Sequence, residues 1–183
     1  MIGEAWFLNT SNPGKLQEFQ QFFEKHGIAL ESTKIDLPEI KADPVSVVVH
    51  KASQVPEGVI VEDTSLDIDG VDVGVNVRWF SDLSEHAGKK ARWRVLLAYR
   101  EGETVYVYEG LTHGTIVPAK GEEGFGFDPI FLPDGTSYTL AEQKPEAVNA
   151  RAKAVKAIVN GHLFAAVPCI KEWNGSWQQD SGH

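Results

Sequence analysis

The sequence predicts an α/β protein built on a mixed twisted sheet with flanking helices. Apolar strand patterns and amphipathic helix patterns alternate through residues 4–69, and a long alternating segment at residues 91–110 then reads as a hairpin. No repeat, low-complexity run or linker divides the 183 residues. The expectation is a single domain, residues 1–183, large enough for two lobes.

Residues 4–9 read as the first strand. Residues 14–26 follow as a helix, with Leu16, Phe19, Phe22 and Phe23 on one face. Residues 28–32 form a short second strand. "IDLPEIKADP" is a loop with two prolines, and Asp43-Pro44 starts a helix through "VSVVVHKASQ" despite its valines. "GVIVEDTSLDIDG" is a buried strand ending in acids. In the hairpin, Trp93, Val95, Leu97 and Tyr99 alternate with Arg92, Arg94 and Arg100. "EGE" is the turn, and Val105 and Val107 then alternate with Tyr106 and Tyr108. "GTIVPAKG" reads as a further strand and turn, and residues 145–160 as a helix rich in Ala, Val and Lys. In the tail "CIKEWNGSWQQ", an Asn-Gly pair between aromatic residues signals another hairpin. Trp6, Trp93, Trp173 and Trp177 read as core or packing residues.

Composition narrows the function. The net charge of −9 argues against a nucleic-acid partner, which takes a basic face. A small phosphorylated ligand needs only a local pocket of lysines and backbone N–H groups, with or without a metal. No apolar run reaches the ~18 residues that a membrane span requires, so no membrane partner is expected. The first residues show no signal-peptide pattern. One cysteine, Cys169, allows no internal disulfide and no zinc cluster, which suits a reducing cytoplasm.

Four stretches carry the residues that do chemistry. In "NTSNPGK", Thr10, Ser11 and Asn12 can cap the helix and Pro13 suits its first turn. A cap and a turn account for most of that stretch. The same helix start also offers free N–H groups and a positive dipole end, with Lys15 one turn in, within reach of a phosphate. It is not a Walker A loop, because the glycine spacing is absent and Leu16 follows the lysine. In "VIVEDTSLDIDG", apolar residues end in Glu62, Asp63 and Thr64, with Asp67 and Asp69 beyond. Acids there suit Mg²⁺ or a solvated acidic turn. In "GEEGFGFDPIFLPDG", Gly124 and Gly126 alternate with Phe125 and Phe127 before Asp128. That is either an aromatic face that stacks on a base or a tight turn over a core. "EQKPEAVNARAKA" sets Lys144 and Arg151 near the start of the last helix. His50 reads as a structural histidine before a cleft residue.

Together, and in this order, these stretches resemble the inosine triphosphate pyrophosphatase family over roughly residues 5–155. The family's T-x-N-x-x-K motif is matched by Thr10, Asn12 and Lys15. "IDLPE" supplies Glu39, which matches the family's metal-linked glutamate, and Lys51 matches a lysine on the next helix. Glu62, Asp63 and Thr64 match the family's strand-end E-D-T. Phe125, Gly126, Phe127 and Asp128 match its aromatic base-binding turn. The resemblance implies two lobes around a central nucleotide-binding cleft. It also implies hydrolysis of nucleoside triphosphates with 6-keto purine bases (ITP, dITP, XTP) to the monophosphate and pyrophosphate. Glu39, Asp63 and Glu62 would hold Mg²⁺, and Asp63 would activate the attacking water. Lys15, Lys51 and Lys144 would hold phosphate oxygens, with Lys15 counted among the catalytic residues. Thr10, Asn12, Thr64, Phe125, Gly126, Phe127, Asp128 and Arg151 would complete the substrate site, and a homodimer is the expected assembly.

The sequence departs from the family at three places. The last helix usually starts Ser-His-Arg; here it reads Asn149, Ala150, Arg151. The missing histidine is a base contact, so a different modified base is the alternative substrate, and a regulator without catalysis the alternative class. The segment around "GVDVGVNVRWF", with Trp79 and Phe80, and the helical region after it are altered or shortened. The tail "CIKEWNGSWQQ", within 167–183, has no clear counterpart in the family.

Overall fold

In the computed structural model, which describes residues 5–70, 83–122 and 126–178, the early strand–helix alternation builds a parallel unit. β1 (Trp6–Asn9) leads through α1 (Pro13–Glu24) to β2 (Leu30–Thr33). The chain then passes through α2 (Pro44–Ser53) to β3 (Val59–Ile68). β2 and β3 lie parallel on either side of β1. β4 (Lys90–Glu101) and β5 (Thr104–Ile116) extend the sheet antiparallel from β3. β6 (Phe131–Pro133) and β7 (Ala165–Pro168) share the far edge of β5. The result is a mixed seven-stranded sheet with the order β2-β1-β3-β4-β5-β6 and β7 beside β5.

Helices cover both faces. α1 and α3 (Ala150–Asn160) bury Phe19, Phe23, Val155 and Ile158 with Leu8, Leu66, Trp93 and Phe131. α2 buries Val48, Val49 and Ala52 on the other face, against Val59, Val61, Leu96, Ala98 and Val107. A strand covered on both sides loses the polar half of its alternation, which is why Val59–Val61 of β3 and Val95–Ala98 of β4 are continuous apolar stretches. The valines of α2 are weak helix formers, but Val47, Val48 and Val49 are almost fully buried, and that burial outweighs propensity. Asp43 caps α2 by accepting from the Ser46 N–H at 3.1 Å, with Pro44 in the first turn. Gly102, at φ 60°, opens the two-residue turn between β4 and β5, where a glycine first in the loop suits the strand twist.

Several expectations are corrected. The first half of "GTIVPAKG" is not a separate strand: Gly114, Thr115 and Ile116 continue β5 in register with β4 and β6. The last helix begins at Ala150, after a 3-10 turn at Glu146–Val148. The tail is not a hairpin. Asn174-Gly175 does turn, with the Trp173 indole N–H donating to the Ser176 carbonyl at 2.7 Å. The flanking residues pair elsewhere: Cys169 N–H donates to the Glu103 carbonyl, and Trp177 bridges to Ile40. Trp177 is therefore exposed rather than core, while Trp93 is fully buried. Trp79, Phe80 and the rest of "GVDVGVNVRWF", as well as Phe125, lie outside the described residues. Among the described residues no helix is long and apolar enough to cross a membrane.

Candidate active site

β1 pairs with β3 only through Phe7–Val59 and Leu8–Ile60, and it stops at Asn9. β3 runs on, so Glu62 and Asp63 stand beyond the end of β1. α1 and α2 lie on opposite faces of the sheet, which makes the β1/β3 boundary a topological switch point. In open α/β sheets the crevice at such carboxyl ends is where ligands bind. Asn9 shapes its floor: its side-chain oxygen accepts from Thr33 Oγ1 and the Ile35 N–H, each at 2.8 Å. That fixes the start of the loop that carries Glu39.

The helix mouth faces this crevice. Asn12 is the cap, its Oδ1 accepting from the Lys15 N–H at 3.0 Å, and Thr10 Oγ1 accepts from the Asn12 N–H at 3.1 Å. One turn in, Lys15 Nζ donates to Glu62 Oε1 at 2.8 Å. Thr64 Oγ1 holds the other Glu62 oxygen at 2.9 Å. Lys51, in the last turn of α2, reaches the Glu62 carbonyl at 2.6 Å. Burial acts to raise the Glu62 pKa, but the ammonium groups of Lys15 and Lys51 overcome it and hold the carboxyl at about 2. Asp63 is the opposite case. Burial pushes its carboxyl up to about 8, with Lys51 opposing and the charges of Glu39 and Glu62 adding to the rise. Asp63 Oδ2 is buried and has no hydrogen-bond partner among the described residues.

A second cluster continues the site along α1 and α3. Arg151 Nη1 donates to Glu18 Oε2 at 2.9 Å, and Lys144 Nζ lies 3.3 Å from Glu18 Oε1 and 2.9 Å from Asp128 Oδ2. Asn149 caps α3 by accepting from the Arg151 N–H at 2.8 Å, and its amide donates to Glu18 at 2.9 Å. Trp93 lies beneath both cations, its ring 5.5 Å from Lys144 Nζ and 5.2 Å from the Arg151 guanidinium carbon. Arg151 also helps to hold down the Glu62 pKa, so the two clusters share one electrostatic field.

The structure thus brings Thr10, Asn12, Lys15, Lys51, Glu62, Asp63 and Thr64 together, with Glu39 close enough to act on Asp63. It also joins Asp128, Lys144 and Arg151. Glu62 sits with Lys15 and Thr64, which occupy both its oxygens. Phe127 packs: it is buried and edge-on to Trp93 and Phe131. Gly126, at φ 64°, makes the turn before it. Asp69 is exposed and paired with Arg92, just past the end of β3 and six residues on from Asp63. His50 is buried, with its ring edge-on to Trp177. Sequence reasoning missed Glu18. The available signal was its place three residues after Lys15, on the same helix face.

This sheet, with a cationic helix mouth facing a buried carboxylate, defines a mixed α/β protein with a candidate phosphate-binding site at its switch point. The chain belongs to the Ham1 family, which it matches over residues 6–161. It is 35% identical to an inosine triphosphate pyrophosphatase of Yarrowia lipolytica, over 86% of this chain and 93% of that one. It is 33% identical to a dITP/XTP pyrophosphatase of Pyrococcus horikoshii, over 82% and 92%. A solved nucleoside-triphosphatase / dITP/XTP pyrophosphatase of Mycobacterium abscessus superposes with a TM-score of 0.51 at 26% identity, covering 86% of this chain and 93% of that one. The protein is a hydrolase of this family.

Proposed function

We propose that the chain hydrolyses aberrant purine nucleoside triphosphates (ITP, dITP and XTP) to the monophosphate and pyrophosphate. The observation that carries the reading is the pairing, at one switch point, of a capped helix mouth and two lysines with a buried acid, Asp63, whose Oδ2 lacks a hydrogen-bond partner among the described residues. The family relatives named for ITP and for dITP/XTP support it.

Mg²⁺ suits the residues present. Its donors would be hard carboxylate oxygens, and Asp63 Oδ2 lacks a partner among the described residues. Among those residues no group of three or more His, Cys, Asp or Glu side chains forms a metal cage. Glu39 and Asp63 would therefore share the ion with substrate phosphates and water. When bound, the ion supplies charge neutralisation and a more acidic water. Lys15 and the N–H groups at the start of α1 hold phosphate oxygens. Asp63 takes the proton from the attacking water, the phosphoanhydride bond between the α- and β-phosphates breaks, and pyrophosphate leaves against Lys15 and Lys51. Asp128 and Arg151 take the base end above Trp93, with Glu18 and Asn149 orienting Arg151, and Lys144 holds phosphate oxygens. Two lobes, a homodimer and a cytoplasmic setting belong to the same reading.

A second reading keeps the reaction and widens the base range. Ala150, standing where the family has its histidine, is fully buried and offers no donor. Pyrophosphate release should be measured with ITP, dITP, XTP, the four standard triphosphates and modified pyrimidine triphosphates. Turnover confined to the first three supports the purine reading, a shifted preference supports the second, and no turnover of any nucleotide overturns both.

A further inference from the structure

The C-terminal segment runs away from the sheet edge and is fastened at several points. Ile170 N–H donates to Ser53 Oγ at 2.9 Å, and the Gln54 side chain donates to the Lys171 carbonyl at 3.1 Å, so the segment crosses the C-terminal end of α2. After the turn at Asn174-Gly175 it meets the loop that carries Glu39. Lys41 N–H donates to the Ser176 carbonyl at 3.0 Å, and Gln178 N–H donates to the Glu39 carbonyl at 2.8 Å. The Gln178 side chain adds a bond to the Ile40 carbonyl at 3.0 Å. Ile40, the residue bridged to Trp177, is fully buried. Trp177 also rests edge-on against His50, with ring centroids 5.4 Å apart, and His50 directly precedes Lys51 on α2. Beneath this strap lies a cavity of about 710 Å³ lined by Leu37, Pro38, His50, Trp173 and Trp177.

Asn9 holds the start of this loop through both the N–H and the carbonyl of Ile35, and the tail holds its far end. Residues 34–39 belong to no strand or helix, and the residue that follows, Ile40, forms a β-bridge with Trp177 of the tail. A loop on one side of a cavity, carrying a carboxylate that must meet Asp63 across the crevice, needs its backbone fixed from outside. The tail does this at three consecutive residues, 39, 40 and 41.

We infer that residues 173–178 are a positioning strap for Glu39. By pairing with the backbone of Glu39, Ile40 and Lys41, the strap holds the Glu39 carboxylate at the distance from Asp63 at which both can share a divalent cation. The inference rests on the cation role given to Glu39 above. Trp177 and Gln178 are positioning residues in this scheme, since neither touches substrate. Groups that orient a metal ligand typically set metal affinity by about 10- to 100-fold, and the strap belongs to that class.

The test uses the full chain and three strap variants. Gln178→Pro removes the N–H that bonds the Glu39 carbonyl. Trp177→Ala removes the ring on His50, and Trp177→Phe keeps a ring there. All lie at an exposed or half-buried edge, so the core is untouched. Three quantities are read: amide exchange at residues 39–41 without metal, Mg²⁺ binding to the nucleotide-free protein by calorimetry, and the Mg²⁺ dependence of pyrophosphate release. Gln178→Pro and Trp177→Ala should lose protection at Lys41 and weaken Mg²⁺ binding about 10-fold or more, with kcat at saturating Mg²⁺ close to that of the parent. Trp177→Phe should restore both. Unchanged protection, or an equal loss of rate at every Mg²⁺ concentration, overturns the positioning role. Glu39→Gln is the control for the underlying reading. If it leaves Mg²⁺ binding unaltered, the cation role of Glu39 is wrong and the strap inference falls with it. If it weakens Mg²⁺ binding while the strap variants do not, only the strap inference falls.

Discussion

Glu62 and Asp63 are adjacent on β3, and adjacent strand residues face opposite sides of a sheet. Glu62 meets Lys15 from α1, while Asp63 comes under the charges of Lys51 and Glu39. One carboxylate is thus kept ionised and engaged, and the other, whose Oδ2 has no hydrogen-bond partner among the described residues, holds its proton until a bound cation would displace it. Replacing Asp63 with Asn keeps its size and removes its proton chemistry. We expect Asp63→Asn to cut kcat by about 10²- to 10⁴-fold with a small change in KM, read as pyrophosphate release from ITP. A full rate in that variant would remove Asp63 from the mechanism. Lys15→Met should raise KM and also lower stability by a few kcal/mol, because it strands a buried Glu62 charge. The double variant Lys15→Met/Glu62→Gln should recover much of that stability but none of the KM, in thermal melts and kinetics run side by side. The places of Lys15 and Asp63 were legible from local spacing, a cap, one helical turn and the first acids in an apolar run, although β3 continues through those acids to Ile68 rather than ending at them. Glu18 was not, since its partners Lys144 and Arg151 lie 126 and 133 residues away. No window of sequence contains that contact.

At the scale of elements, the site depends on how closely α3 lies on β5. Gly110 makes this possible. A Cβ there would stand 2.0 Å from the Ala150 carbonyl oxygen and 2.5 Å from the Ala154 nitrogen, both backbone atoms that no rotamer change can move aside. Gly110→Ala should therefore push the start of α3 off the sheet. Overpacking of this kind typically costs about 1–3 kcal/mol. Because Asn149 and Arg151 sit at that helix start, KM for the nucleotide should rise along with the loss in melting temperature. A variant that melts normally and binds normally would show that the close approach is not needed. The same scale explains the tail. An Asn-Gly turn between aromatic residues is a sound local hairpin signal, and the turn does form. What sequence cannot supply is competition for partners. Trp177 finds the edge at Ile40, and Ala165–Pro168 finds the free edge of β5. β1, α1, α2, β3 and the long hairpin were legible because their periodicity is strong. β6 and β7 are three- and four-residue strands whose pairing is decided only once the sheet exists.

For the molecule as a whole, the two carboxylates make folding depend on pH in opposite ways. The Glu62 pKa falls from 4.5 to about 2 on folding, so its contribution is complete above pH 4.5 and is lost as pH drops toward 2. The Asp63 pKa rises from 3.8 to about 8, so between those values the folded chain holds a proton that the unfolded chain has released. Stability from Asp63 is therefore greatest below about pH 4 and declines as pH climbs to about 8. With the other groups set aside, the cation-free protein gains from this pair most near pH 4, which is unusual for a chain of net charge −9. A divalent cation held at Asp63 would displace that proton and reverse the upper limb. Thermal melts from pH 4 to 9, in EDTA and in Mg²⁺, should show Mg²⁺ raising Tm little at pH 5 and substantially at pH 8, because any ligand favouring the folded state stabilises it by mass action. In EDTA, Asp63→Asn should melt higher than the parent at pH 8 and should lose its Mg²⁺ response. If parent and variant instead run in parallel across the whole range, the decline toward pH 8 comes from other groups, and Asp63 is neither the buried acid nor a cation ligand.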